Sequence, residues 1–99
     1  MNRNMMRQAQ KQLAQLQKIQ DELETVTVEG SAGGGAVKVV MTGKQIVESV
    51  TIEPEAAEEV ELLQDMVLAA VNDASTKAQE LAAKKMSVVT GGMNIPGFS

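Results

Sequence analysis

The chain has no cysteine, histidine, tryptophan or tyrosine, and Phe98 is its only aromatic residue. Without cysteine and histidine there is no disulfide, no common metal-ligand set and none of the usual bases that activate a nucleophile. Without aromatic rings on its helical stretches there is no platform for stacking unpaired bases. Its longest unbroken apolar run, Met66 to Val71, is far shorter than a membrane span, and the opening Met1-Asn2-Arg3-Asn4 leads into no signal-peptide core. These absences favour a cytosolic, non-enzymatic chain that binds no cofactor, metal or small-molecule substrate. Ninety-nine residues fit one domain, at a size where a single core stabilises only modestly and dimerisation is a common remedy.

The net charge is −4, but it is unevenly spread. Arg3, Arg7, Lys11 and Lys18 precede any acid, whereas residues 53 to 73 carry seven acids and no base. From residue 74 onward Lys77, Lys84 and Lys85 face a single Glu80. Positive charge therefore gathers in two zones, the opening of the chain and its last third.

Val60 to Met86 contains neither Gly nor Pro, and Leu63, Val67, Ala70, Ala74, Ala78, Leu81 and Lys85 recur at helical spacing. This predicts one helix of ~40 Å, longer than so small a core needs, with the tightest packing near Leu68. Asn4 to Glu24 predicts another helix, rich in good helix formers, with heptad-like Met6, Ala9, Leu13, Leu16 and Leu23 interrupted at Gln20. On it Arg3, Arg7 and Lys11 form an i, i+4, i+8 stripe. Such a stripe is in many proteins only a solvated face.

Three β-branched segments lie between the helices: residues 25–29, 36–41 and 45–52. Glycine-rich Gly30 to Gly35 and Thr42-Gly43-Lys44 separate them, which predicts an antiparallel meander. The glycine stretch lacks the Gly-Lys-Ser/Thr ending of a phosphate loop and leads into a strand, so it reads as a hairpin connection. Glu53-Pro54 with the following acids suits a helix start better than a carboxylate site, since no nucleophile or pocket converges there. Gly91-Gly92 is a strong helix stop, giving a single α+β domain over 1–90 and an expected flexible tail over 91–99.

Taken in order, several stretches resemble the YbaB/EbfC family of small bacterial nucleoid-associated proteins. They are Met5-Met6-Arg7-Gln8-Ala9-Gln10, the Gly loop before Val37-Lys38-Val39, Val50-Thr51-Ile52-Glu53-Pro54, Leu63 to Ala74, and Gly91-Gly92-Met93-Asn94-Ile95-Pro96-Gly97. The resemblance implies an α-β-β-β-α homodimer with sheets joined at its centre and helical arms projecting like tweezers. It further implies double-stranded DNA as partner and a place at the nucleoid. Beside it, the residues themselves nominate Arg3, Arg7, Lys11, Lys18, Lys77, Lys84 and Lys85 for phosphate contact with low sequence selectivity. Val37, Val39, Met41, Leu63, Val67, Leu68 and Val71 are expected at the dimer interface. The competing reading is a dimeric adaptor or chaperone-like protein whose Met- and Ala-rich helix faces hold another protein.

Overall fold

A computed structural model describes residues 2–90. Helix α1 spans Arg3–Thr25, strands β1, β2 and β3 span Thr27–Ala32, Val37–Thr42 and Val47–Ile52, and helix α2 spans Val60–Thr90. The α-β-β-β-α order follows the sequence expectation. Short 3-10 turns at Gly33–Gly35 and Pro54–Glu58 join β1 to β2 and lead toward α2.

Asn2 caps α1, its side-chain oxygen accepting from the Met5 amide at 2.9 Å. The helix ends where Thr25 to Val28 bring a β-branched run, and the Val26 amide closes the last turn on the Glu22 carbonyl at 2.9 Å. Beyond the expected end at Met86, α2 continues to Thr90, because Val88, Val89 and Thr90 lower helix propensity without breaking it. Pro54 starts a separate 3-10 turn, and extended Glu59 (φ −113°, ψ 104°) divides it from α2. The tail 91–99 lies outside the described residues.

The strands pair in sequence order, antiparallel throughout, with Gly30 opposite Val39 and Val39 opposite Val50. β1 lies farther along the chain than expected and includes Gly30, Ser31 and Ala32. Gly30 is needed there because a Cβ would overlap the Ala74 nitrogen and the Ala70 carbonyl oxygen of α2. The turn after β2 places Gln45 at φ 66°, and buried Thr42 accepts the Lys44 and Ile46 amides at 3.2 Å each.

α2 lies across β1 and β2. Ala70, Ala74 and Ala78 form its buried stripe over Val37, Val39 and Met41, and all are 3% exposed or less. Small side chains let the helix axis approach the sheet closely, so the tightest packing is at Ala70–Ala78. Leu68 is 62% exposed on another side of the helix, contrary to the expectation of tight packing there.

Every residue of β3 is exposed. A register shift beside Val40 and Met41 pairs Met41 with Val47, so Val47, Val50 and Ile52 stand opposite Met41, Val39 and Val37. They therefore continue the core-facing side of the sheet past the footprint of α2, at 43%, 46% and 37% exposure.

Candidate nucleic-acid interface

The second half of α1 is held against the rest of the chain, with Ile19 and Leu23 buried. Lys85 Nζ donates to Glu22 Oε2 at 3.3 Å, and a groove between the helices is lined by Gln15, Lys18, Ile19, Glu22, Lys85 and Val88. Pairing Glu22 with Lys85 while Gln15 and Val88 share the groove makes the helices antiparallel. The first half of α1 consequently runs on past the end of α2, with Arg3 ~28 Å from Glu22 along the helix axis.

Arg3, Arg7, Lys11 and Lys18 are all exposed and carry no ion pair among the described residues. One helical turn separates Arg3 from Arg7 and Arg7 from Lys11, ~6 Å at each step. The fold brings the two basic zones together, since Lys18 and Lys85 line one groove and exposed Lys84 is the neighbour of Lys85. Asp65, the nearest acid of the cluster from Glu53 to Asp65, is ~28 Å from Lys84 along α2. These six acids, Glu53 to Asp65, are thus carried away from the basic arm.

Lys77 and Lys85 have other attachments. Lys77 Nζ donates to the Glu29 carbonyl at 3.0 Å and lies 3.3 Å from Asp73 Oδ2. Asp73 Oδ2 also accepts the Ser31 amide at 3.0 Å, so the two side chains together fasten α2 to β1. The hydrogen bond from Ser31, then that from Lys77, holds the Asp73 carboxyl below its ordinary value. Lys85, half-buried, spans α2 to α1 through Glu22. Helical spacing identifies which lysines share a face but not which strand lies beside that face.

The residues expected between subunits also divide. Val37, Val39 and Met41 are enclosed within their own chain beneath α2, so their side chains are unavailable to a second copy. Leu63, Val67 and Val71 are partly buried at the edge of that core, and Leu68 is exposed. The open row Val47, Val50 and Ile52 was missed because a bulge breaks the simple alternation that would reveal it. The only sequence signal was a high content of β-branched residues.

The model of the YbaB/EbfC DNA-binding family matches residues 1–93. The chain belongs to the YbaB/EbfC DNA-binding family. A nucleoid-associated protein of Desulforamulus reducens is 54% identical over 96 residues, covering 95% of this chain and 91% of the relative. A nucleoid-associated protein of Alkaliphilus metalliredigens is 52% identical over 97 residues, covering 96% and 85%. The crystal structure of an uncharacterized Helicobacter pylori protein has the same fold, with a TM-score of 0.65 over 85% of this chain and 95% of that one. Its sequence identity is 21%, so that likeness concerns the fold alone.

Proposed function

We propose that this YbaB/EbfC family member binds duplex DNA at the nucleoid as a homodimer, holding backbone phosphates with low sequence selectivity and catalysing no reaction. The observation that carries this reading is the exposed row Arg3, Arg7, Lys11 and Lys18, free of ion pairs among the described residues, on a helix that outruns its own core. Lys84 extends the row, and Lys85 joins it when Glu22 releases it. Lys77 acts chiefly as a fastener of α2. Cations of this kind recognise phosphate and carry little sequence information.

The homodimer is inferred from the uncovered row Val47, Val50 and Ile52 and the open edge of β3, with Val67, Leu68 and Val71 of α2 as further apolar surface for the partner. An edge strand with an apolar face is a liability when left bare, and a second copy covers both.

The test is a mobility-shift titration with duplex DNA at a series of salt concentrations, comparing the native chain with the Arg3→Ala, Arg7→Ala, Lys11→Ala variant. Affinity should fall strongly in the variant. The slope of log affinity against log salt should lessen by ~0.9 for each phosphate no longer neutralised, up to roughly 5 when a dimer releases six phosphates. An unchanged affinity and slope in a folded variant would exclude the phosphate reading and favour a protein partner for the arm.

A further inference from the structure

The first half of α1 is more than a row of cations. Met5, Met6 and Leu13 on it are 57%, 49% and 66% exposed, so the arm is an amphipathic helix with its apolar residues in solvent. At 100° per residue, Met6 and Leu13 lie within about 20° of each other and about 100° or more from the centre of the basic row. Nothing in the described part of the chain covers them. A basic helix with exposed methionine and leucine fits a surface that offers apolar contact ringed by carboxylates.

This chain carries such a surface at its other end. At the start of α2 a shallow cup is lined by Glu59, Val60, Glu61, Leu62 and Asp65. Val60 and Leu62 in it are 62% and 50% exposed. None of the three carboxylates takes part in an ion pair among the described residues. Arm and cup cannot meet within one molecule. Lys85 and Glu22 fix the helices antiparallel, and the arm and the cup point to opposite ends of a molecule 66 Å long.

We propose that the basic, apolar first half of α1 docks on the acidic, apolar cup at the start of α2 in a second copy of the chain. Charge complementarity and the matching apolar residues select the occupant. A second arm would be excluded by its own positive charge. The contact joins two different surfaces, so it does not close on itself as a two-fold dimer does, and repetition gives an open array of chains or of dimers. Arg3, Arg7 and Lys11 are also the cations assigned to phosphate, so array and DNA compete for one arm. The array itself does not depend on DNA binding.

The experiment is sedimentation velocity of the full chain without DNA, over a wide range of concentration at low and high salt. At low salt the average mass should rise past that of a dimer without reaching a plateau. High salt should reverse the growth, because the contact is exposed and charge-assisted. A single fixed mass at every concentration in low salt would overturn the proposal without any variant. Two charge-reversed variants then test the pairing, Arg7→Glu with Lys11→Glu and Glu61→Lys with Asp65→Lys, all at exposed positions. Each alone should stop at a fixed mass. Mixing them should restore growth, since each variant's altered surface now matches an altered surface on the other. Growth of either variant alone, or no growth in the mixture while both keep native helical circular dichroism, would overturn it.

Discussion

Gly30 of β1 lies directly against Ala74 of α2, with no room for a side-chain carbon between the two backbones. This approach sets the spacing between helix and sheet. It also brings Asp73 and Lys77 within reach of the β1 backbone, where they bond the Ser31 amide and the Glu29 carbonyl.

Gly30→Val should destabilise the protein more than any exposed substitution. Both atoms in the way belong to the α2 backbone and cannot turn aside, so the helix must lift from the sheet. Overpacking of this kind costs about 1–3 kcal/mol or more. In a domain of this size that lowers the melting temperature by roughly 4 °C or more, measurable by circular dichroism. Native stability in the variant would mean that the helix does not approach the strand so closely.

Asp73 gives a pH dependence of known sign. Its folded-state carboxyl titrates below its usual value, so the folded protein holds this proton less tightly than the unfolded chain does. The resulting stability is fully present above the ordinary aspartate pKa and is lost as pH falls through the lowered one. Asp73→Asn should therefore reduce stability at neutral pH and bring the variant closer to the native protein in acid. Urea denaturation at neutral and acidic pH measures the difference, and an equal gap at both would contradict this role.

Lys77→Ala and Lys84→Ala should behave differently although both remove one lysine from the same helix. Loss of Lys77 frees the Glu29 carbonyl and Asp73, so it should lower stability while changing the salt slope of DNA binding little. Loss of Lys84, exposed and outside any ion pair among the described residues, should leave the melting temperature within about 2 °C and lower the slope by ~0.9 for each copy that engages DNA. The reverse pattern would show that the two roles have been exchanged.

Val39 and Val50 are paired neighbours on one face of the sheet with opposite exposure, 0% and 46%. Val39→Asp should prevent folding, since an unpaired carboxylate in the core costs on the order of 3 kcal/mol or more. Val50→Asp should leave the protomer folded and, at high salt where the arm-to-cup contact is suppressed, reduce its mass in sedimentation equilibrium to that of a monomer. A dimer that persists in Val50→Asp would move the interface away from β3.

The pattern of apolar residues by itself determined the element order. The recurrence of Leu63, Val67, Ala70, Ala74 and Ala78 admits a helix and no strand, and the glycines between three β-branched segments admit hairpins. The basic row on α1 was equally legible, because i, i+4 spacing places Arg3, Arg7 and Lys11 on one side wherever the helix sits. Periodicity reports which side chains share a face, but it does not report what lies opposite. Only tertiary packing decided that α2 covers β1 and β2 and leaves Val47, Val50 and Ile52 open, and that Val37, Val39 and Met41 are spent within their own chain. The same packing fastened Lys77 to β1 and Lys85 to α1, with partners 48 and 63 residues away in sequence. Contacts at that separation depend on how closely one backbone can approach another, and for Lys77 on β1 that distance is set by a glycine facing an alanine.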